Sequence, residues 1–457
     1  MTPLAELARK VFAVALEAAH PSTLMRKVRF TPAGVIYGEH ALEPPGRLVV
    51  VAVGKAGGTL AEAFLTHSTR RPEVVWVYLP RNASAPSYLP AQVRWGDHPH
   101  LSLDNTAAAL ELAQMVAQLA AEDGLLVLLS GGSSSLLAAP LPPLRPAELD
   151  ALVGELARRG ATIHQLNTVR KHLTALLGGR LAVRCPAPLL ALVLSDVPGD
   201  DVSTVGSGPT AADPTTRGDA KAILQRFGLL TKYPQVAQLL EDPSSETPKP
   251  GDLRLQRKAS ALLGCNRDAV EAAAHTLTQE GFRVRVLTTA LRGDAREMGR
   301  LLGALLVQAA PGTALLAAGE TTVHVTGTGQ GGRNLELALA AACQLAGHRH
   351  RCLLAAGTDG VDGTSPAAGA VVDGGTLARA AKLGKDPEKA LRDNDSWGFF
   401  ADLPEAILTG PTGTNVADLV IGLVAPRVAA RVGWRPPARA PQPQPPWGAA
   451  TQRGPLP

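Results

Sequence analysis

Three short turns rich in glycine, serine and aspartate could carry phosphate chemistry, because each directly follows a run of apolar residues. The first turn places Lys55 between Gly54 and Gly57, where a strand would end and a helix begin. A lysine beside a helix N-terminus suits an anion. The third turn carries Asp196 and Asp200, and carboxylates at a strand end suit Mg²⁺ or can orient a hydroxyl nucleophile. An exposed lysine and turn-forming aspartates would show the same pattern, so both readings stay open.

The middle turn consists of six small residues that follow the apolar run at 125–129. They are Ser130, Gly131, Gly132, Ser133, Ser134 and Ser135. Successive small residues after a buried strand can form a nest of backbone N–H groups that binds phosphate oxygens. An ordinary small-residue turn is the alternative, and the length of the run favours the phosphate nest.

A further glycine-rich segment ends in an arginine. Gly327, Gly329 and Gly332 fit the GxGxxG pattern of dinucleotide-binding turns, with a strand-like segment before them and a helical pattern after them. Such sites also need an acidic residue about 20 positions on, and the nearest candidate at a strand end, Asp359, comes late. Arg333 next to the glycines favours stabilisation of a transferring phosphoryl group over hydride transfer. A salt-bridged arginine in the first turn of a helix is the other reading.

The elements that must position these turns are short apolar strands that alternate with helical patterns. Such strands indicate an α/β fold with a parallel sheet, whose functional loops lie at the carboxyl ends of the strands. The sequence predicts a Rossmann-like parallel-sheet domain over residues 1–240, a linker over 241–254 and a smaller α/β domain over 255–430. The alternating residues 320–326 predict an antiparallel strand. Residues 431–457 are Pro-rich without periodicity and predict a disordered tail.

Composition and charge limit the class of protein. Of the 457 residues, 45% are hydrophobic and 19% are charged, which is typical of a globular chain that can bury a core. The four cysteines form no CxxC pair, so no zinc site is predicted. The net charge is +5, but only 4% of residues are aromatic, which favours phosphate or carboxylate substrates over nucleic acid. Charges in the first 20 residues and the lack of a long apolar run predict a cytoplasmic protein that does not span a membrane.

The order of these turns resembles that of the glycerate 2-kinases of the two-domain type, whose C-terminal part is the MOFRL domain. The matching segments follow the family's order over roughly residues 5–425. They read GKAGGTLAEAF, GDHPHLSLDNT, LSGGSSSLLAAP, LNTVRKHLTALLGGRLA, LSDVPGDDVSTVGSGPTAADPTT, GETTVHVTGTGQGGRNLELALA, AAGTDGVDGTSPAAGAVV and LTGPTGTNVADL. The nest departs from the family's usual SGGGS, because Ser133 stands where the third glycine is expected.

The resemblance implies an active site in the cleft between two domains. It implies phosphorylation of D-glycerate at C2 by ATP with Mg²⁺, and cleft closure that pairs Lys55 with Arg333 around the transferred group. Asp196 is predicted to contact the hydroxyl or the metal, and Asp200 is a second predicted metal ligand. The 130–135 nest is predicted to hold ATP phosphates. Further nucleotide-binding residues are predicted at Gly329, Gly331, Gly332, Glu320, Thr414 and Asn415.

The substrate carboxylate needs a cation, which Arg170 or Lys171 in the segment NTVRKHL could supply. Two other functions stay open at this point. An NAD(P)H-dependent hydroxypyruvate reductase would use the GxGxxG turn as its cofactor site. A non-catalytic regulator that binds sugar phosphates or nucleotides would not need the lysine, the arginine and the carboxylates together. We expect a small-molecule substrate and no nucleic-acid partner, and a homodimer is possible.

Overall fold

The computed structural model describes residues 2–83 and 91–426, which fold into two compact units. The first unit contains residues 20–265 and 413–415. The second unit contains the remaining described residues, 2–19, 266–412 and 416–426. The tail predicted over 431–457 lies outside the described residues.

The N-terminal helix α1 (Pro3–Ala18) belongs to the second unit, whereas the sequence places it with residues 1–240. The reason is its buried face, which includes Val11 and Phe12. Through this face α1 packs against the helix Asn266–Gln279 and the strand Arg351–Gly357 of the second unit. Sequence proximity therefore misassigned an element that long-range packing decides.

The segment 241–254 lies within the first unit and does not separate the two units. Its side chains at Ser245 and Thr247 are buried. The strand that follows it, Lys258–Gly264, pairs in parallel with the strand Leu189–Leu194 and completes the first unit's sheet. The boundary between the units falls after Cys265.

The first unit is built on a six-stranded parallel sheet, as predicted. A small antiparallel sheet precedes it, with strands β1 (Arg29–Thr31), β2 (Gly34–Tyr37) and β3 (His40–Leu42). The strands of the large sheet are β4 (Leu48–Val53), β5 (Val74–Pro80), β6 (Gln92–Gly96), β7 (Gly124–Leu129), β8 (Leu189–Leu194) and β9 (Lys258–Gly264). Their spatial order is β6-β5-β4-β7-β8-β9. Every residue of β4, β7 and β8 is buried, which explains their continuous apolar sequences.

Helices connect the strands of the first unit. They are α2 (Pro21–Leu24), α3 (Gly57–His67), α4 (Leu103–Ala117), α5 (Ser133–Leu136), α6 (Pro146–Arg158), α7 (Ile163–Leu173), α8 (Arg180–Arg184), α9 (Arg217–Arg226) and α10 (Pro234–Glu241). Short 3-10 turns lie at Met25–Lys27, Val205–Ser207, Pro243–Ser245 and Leu253–Leu255.

The second unit has a mixed six-stranded sheet. Its strands are β10 (Arg283–Leu291), β11 (Thr313–Gly319), β12 (Arg351–Gly357), β13 (Gly369–Asp373), β14 (Ala406–Ile407) and β15 (Asp418–Val424), in the spatial order β10-β11-β15-β12-β13-β14. Only β10 and β11 pair in parallel. Besides α1, its helices are α11 (Asn266–Gln279), α12 (Ala295–Gln308), α13 (Arg333–Leu345), α14 (Thr376–Ala381), α15 (Pro387–Arg392) and α16 (Ser396–Phe400).

The prediction of an antiparallel strand at 320–326 is wrong, although antiparallel strands do occur in this unit. The segment is irregular and makes one isolated bridge, between Asp294 and Thr322. Both sides of the preceding strand β11 are already occupied, by β10 and β15. Val325 is 71% exposed, so the alternation does not mark a buried face. In the part of the chain that the structure covers, no helix has the length and apolar character needed to cross a membrane.

We expect Phe12→Ala to lower the free energy of unfolding by about 3–5 kcal/mol, because this ring is buried where α1 packs on the second unit. Chemical unfolding followed by circular dichroism measures the change. Val14→Ala on the same helix is the control, and its effect should stay within about 0.5 kcal/mol since Val14 is 37% exposed. Equal effects of the two variants would contradict the packing of α1.

Candidate active site

The three turns singled out in the sequence meet at one edge of the first unit's sheet. They follow β4, β7 and β8, which are neighbours and run in parallel. In the sheet register Val53 lies beside Leu129, and Leu129 lies beside Val193. The carboxyl ends of the three strands therefore bring the Lys55 turn, the 130–135 turn and the Asp196 turn together.

Ser130 links the Lys55 turn to the 130–135 turn by hydrogen bonds. Its amide donates to the carbonyl of Val53 at 3.0 Å, and its Oγ accepts from the amide of Ala56 at 3.1 Å. The amide of Lys55 in turn donates to the carbonyl of Gly131 at 2.8 Å. Ser130 is fully buried, so its hydroxyl holds the two turns and does not face a ligand.

The 130–135 turn has the local geometry of a nest. Gly132 has φ +87°, a left-handed conformation that favours glycine, and it precedes the short helix α5. The hydroxyls of Ser133 and Ser135 are buried and donate to the carbonyls of Ser130 and Gly132, at 2.8 and 3.1 Å. Among the described residues, the amides of 131–134 find no acceptor. Ser134 is the one half-exposed serine of this turn.

Asp196 lies directly against the nest. A Cβ on residue 131 would overlap its carboxylate, so only glycine fits at Gly131. The Asp196 Oδ2 accepts a hydrogen bond from Asn415 Nδ2 at 2.9 Å. The carbonyl of Gly413 accepts a hydrogen bond from the hydroxyl of Thr59, which fixes the 413–415 segment to the first unit. The structure therefore brings Asn415 to Asp196, a contact that no sequence spacing indicates.

The other aspartates of this turn have different environments. Asp201 accepts hydrogen bonds from the amide of Ser203 at 2.8 Å and from the hydroxyl of Thr204, so it is a turn-former, one of the readings left open. Asp200 is half-buried with φ +56°. Among residues 2–83 and 91–426, no three His, Cys, Asp or Glu side chains converge in a way that could hold a metal ion.

The two candidate cations for the substrate carboxylate lie on α7 in contrasting surroundings. Lys171 is buried, and its Nζ lies 3.2 Å from Oδ1 of the fully buried Asp213. Burial by itself would raise the pKa of Asp213, but the charge of Lys171 and hydrogen bonds from Thr215 hold that pKa below its ordinary value. Lys171 is therefore engaged in a buried ion pair, and its contact with the substrate carboxylate stays a prediction.

Arg170 is half-buried at the neighbouring position. Burial lowers the pKa of its guanidinium, and the charge of Asp150 opposes that change. The guanidinium donates no hydrogen bond to any residue of the described chain. Of the two predicted cations, Lys171 is therefore the one that pairs with a buried carboxylate of the chain, and Arg170 is not.

Arg333 is bound by two carboxylates of the second unit. Its Nε and Nη2 donate to the two oxygens of Asp418 at 2.6 and 2.9 Å, and its Nη1 lies 3.0 Å from Oε1 of Glu320. Burial alone would lower the pKa of Arg333, yet the two carboxylates outweigh it and raise that pKa above its ordinary value. Glu320, which is predicted to bind nucleotide, thus lies beside the predicted catalytic arginine.

The glycines before Arg333 allow close backbone packing. A Cβ on Gly327 or Gly329 would overlap the chain at 393–395. The amide of Gly329 donates to the carbonyl of Asp393 at 2.9 Å, and the amide of Gly331 donates to the hydroxyl of Thr364 at 3.1 Å. Since these amides are engaged within the chain, and no strand leads directly into the segment, the 327–332 loop lacks the strand–turn–helix geometry of a dinucleotide site.

Asp362 caps the helix that Arg333 begins. Its Oδ2 accepts from the amide of Leu335 at 2.8 Å and its Oδ1 from that of Asn334 at 3.1 Å. Burial raises the pKa of Asp362 to about 7, although these amides act to lower it. A Cβ on Gly332 would overlap this carboxylate, which explains the glycine there.

Sequence reasoning missed Asp418. It lies at the amino end of β15, beside Gly319 and Gly357 in the sheet register. Because β15 is antiparallel to β11 and β12, its amino end shares the sheet edge with their carboxyl ends. A charged residue that opens a fully buried strand was the available signal.

Two family profiles cover most of the chain. Residues 7–241 match a domain of unknown function, DUF4147, and residues 313–418 match the MOFRL family. The first match lies mostly in the first unit, and the second lies in the second unit apart from residues 413–415.

Named relatives cover most of the chain as well. The D-glycerate 2-kinase of Thermotoga maritima is 38% identical over 389 residues, which span 83% of this chain and 91% of the relative. A putative hydroxypyruvate reductase of Agrobacterium vitis is 37% identical over 82% of this chain and 87% of its own. The crystal structure of glycerate kinase from T. maritima matches with a TM-score of 0.80 and 35% identity, over 92% of this chain and 99% of that one.

We expect Asp213→Asn to lower the free energy of unfolding by about 3–5 kcal/mol, because it leaves the charge of Lys171 buried without a partner. Urea unfolding at neutral pH measures this change. Glu111→Gln is the control, since the ion pair of Arg94 with Glu111 is exposed and should contribute at most about 1 kcal/mol. A similar small loss in both variants would contradict the structural role of the Lys171 pair.

The raised pKa of Asp362 leads us to expect that the stability of the folded protein depends on pH. Its pKa is about 7 in the folded state against an ordinary 3.8, so the stability it contributes is complete below the ordinary value and is lost as pH rises through 7. We expect thermal melts between pH 5.5 and 8.5 to depend less on pH in Asp362→Asn than in the unsubstituted protein. The same pH slope in both proteins would show that this carboxyl does not titrate in that range.

Proposed function

Because the chain belongs to the glycerate kinase family, we propose that it transfers the γ-phosphoryl group of ATP to the C2 hydroxyl of D-glycerate, giving 2-phosphoglycerate. The observation that carries this proposal is the meeting of Lys55, the 130–135 nest and Asp196 at three adjacent strand ends. A cation, a set of backbone donors and a carboxylate are the parts that phosphoryl transfer needs.

In this proposal the amides of residues 131–134 bind phosphate oxygens of ATP. Their lack of acceptors within the described chain supports that role. Lys55 neutralises charge on the transferring group from the neighbouring turn, where its own amide is tied to Gly131. Because backbone bonds fix both turns, these donors need little rearrangement during the reaction.

Arg333 is the proposed second cation. Its guanidinium is oriented by Asp418 and Glu320, and these carboxylates raise its pKa above the ordinary value of arginine. We propose that the two units close around the substrates, so that Lys55 and Arg333 act on the same phosphoryl group. Arg333 would then exchange its contact with Glu320 for contacts with the phosphoryl oxygens.

Asp196 is proposed to orient the C2 hydroxyl or to hold Mg²⁺, with Asp200 as a second carboxylate for the metal. Mg²⁺ in kinases binds through one or two carboxylates and the substrate phosphates, so these two residues fit it without a larger acidic cluster. When bound, Mg²⁺ offsets the negative charge of the phosphates. The hydrogen bond from Asn415 fixes one oxygen of Asp196 in either role.

Arg170 is the proposed partner of the glycerate carboxylate. Its guanidinium donates no hydrogen bond within the described residues, whereas its neighbour Lys171 is committed to Asp213. A guanidinium can bind a carboxylate through two parallel hydrogen bonds, which would also orient the substrate.

A reductase remains the second candidate, because one relative is named as a putative hydroxypyruvate reductase. It would use NAD(P)H at residues 327–332. The engaged amides of Gly329 and Gly331 weigh against that site and favour the kinase.

We expect Lys55→Ala and Arg333→Ala each to lower kcat for D-glycerate by about 10²-fold or more, because each removes a charge that stabilises the transition state. Coupled measurement of ADP release gives the rates. Lys382→Ala, at an exposed lysine of the second unit, is the control and should keep normal turnover. Near-normal kcat in both of the first two variants would overturn the proposed roles.

A further inference from the structure

Three polar side chains connect α7 to the nest in a single chain of hydrogen bonds. Ser207 Oγ lies 3.0 Å from Asn167 Oδ1, and Ser134 Oγ lies 2.9 Å from Ser207 Oγ. Asn167 and Ser207 are buried, whereas Ser134 is half-exposed at the surface of the nest. The hydrogen-bond chain thus runs from the interior to Ser134, the half-exposed serine of the nest.

The positions of the protons in this chain follow from the chemistry of its members. Asn167 Nδ2 faces the carbonyl of Thr204 at 3.4 Å, so its Oδ1 faces Ser207. An amide oxygen only accepts hydrogen bonds, and Ser207 must therefore donate to it. A hydroxyl carries one proton, so Ser207 has none left and accepts the proton of Ser134.

Ser134 consequently presents lone pairs, and no proton, to the outside of the nest. A lone pair repels a phosphate oxygen but accepts a hydrogen bond from a hydroxyl group. The hydroxyl of Ser134 is thereby unsuited to the phosphate contact that its sequence position suggested. It suits a neutral donor on the substrate.

Glycerate carries such a donor besides its reacting hydroxyl. In the proposed function the carboxylate binds Arg170 and the C2 hydroxyl faces Asp196, which leaves the C3 hydroxyl. Arg170 follows Asn167 by three positions on α7, so the two side chains share one face of this helix. The proposed carboxylate partner and the residue that starts the hydrogen-bond chain therefore lie on one face of α7.

We propose that Ser134 accepts a hydrogen bond from the C3 hydroxyl of glycerate and so selects substrates that carry this group, and that Asn167 is a positioning residue acting through Ser207. This inference rests on the proposed function. It assigns to Ser134 a part in substrate specificity that is separate from phosphate binding by the backbone amides.

Comparison of D-glycerate with D-lactate tests the inference, because D-lactate lacks only the C3 hydroxyl. In Ser134→Ala we expect kcat/KM for D-glycerate to fall about tenfold, mainly through KM, which is the loss of one hydrogen bond. The inhibition constant of D-lactate against D-glycerate should change by less than about twofold. Ser244→Ala, at an exposed serine of the first unit, is the control and should alter neither value.

Variants of Asn167 test the direction of the hydrogen-bond chain. Asn167→Asp still offers Ser207 a hydrogen-bond acceptor. The ratio of the D-lactate inhibition constant to the D-glycerate KM, which measures the preference for D-glycerate, should therefore stay unchanged. Asn167→Ala frees the proton of Ser207 to point at Ser134, which reverses the chain and should reduce that preference about tenfold. Thermal melts identify any variant that has lost its fold. Ser134 is the half-exposed end of the hydrogen-bond chain, so Ser134→Ala still tests the inference if the variants of the buried Asn167 do not fold.

An equal rise in the KM of D-glycerate and in the inhibition constant of D-lactate in Ser134→Ala would overturn the inference. Ser134 would then contact a group that both acids carry. A raised Mg²⁺ requirement in this variant, alike with both acids, would overturn it in favour of a metal contact. Failure of the unsubstituted protein to phosphorylate D-glycerate would instead refute the proposed function. The two failures are therefore distinguishable.

Discussion

The adjacency of β4, β7 and β8 is the constraint on which the candidate site residues of the first unit depend. Parallel neighbours end at the same sheet edge, so the three turns after them must share a small space. Ser130 joins two of these turns through its amide and hydroxyl, and the carboxylate of Asp196 approaches Gly131 so closely that no side chain fits there. The Lys55 turn, the nest and the Asp196 turn are thus held together by backbone packing, which is what the preorganised charge of the proposed mechanism requires.

In the second unit, antiparallel pairing has the corresponding effect. Because β15 runs against β11 and β12, Asp418 reaches the edge at which they end, where it holds the guanidinium of Arg333 by two hydrogen bonds. Asp362 caps the helix that starts at Arg333, and packed glycines set the path of the chain before it. An arginine fixed in this way can neutralise charge without first being ordered.

Local patterns in the sequence were sufficient for three central strands of the first sheet and the turns that follow them, but not for β9, which the predicted boundary assigned to the second domain. Continuous apolar runs identified β4, β7 and β8, and the turn chemistry after each placed Lys55, the nest and Asp196 at one edge. Alternation misled at 320–326, because no neighbouring strand is available to that segment. The packing of α1 on the second unit depends on contacts between distant parts of the chain, which periodicity does not report.

The sequence could not show which polar residues of the site pair with each other. Lys171 and Arg170 are adjacent in the chain, yet only the fold shows that Lys171 is buried against Asp213. The links from Asn167 through Ser207 to Ser134 and from Asn415 to Asp196 join residues 40 to 219 positions apart along the chain. Such contacts decide which polar residues are structural and which are left to bind ligands.

Identification of the product by ³¹P NMR tests most directly the proposal that the chain phosphorylates D-glycerate at C2. The purified protein would be incubated with D-glycerate, ATP and Mg²⁺, with a parallel sample of hydroxypyruvate and NAD(P)H followed by absorbance. We predict Mg²⁺-dependent formation of 2-phosphoglycerate with matching ADP and no NAD(P)H oxidation. Oxidation of NAD(P)H without release of ADP would refute the kinase activity and favour residues 327–332 as a cofactor site.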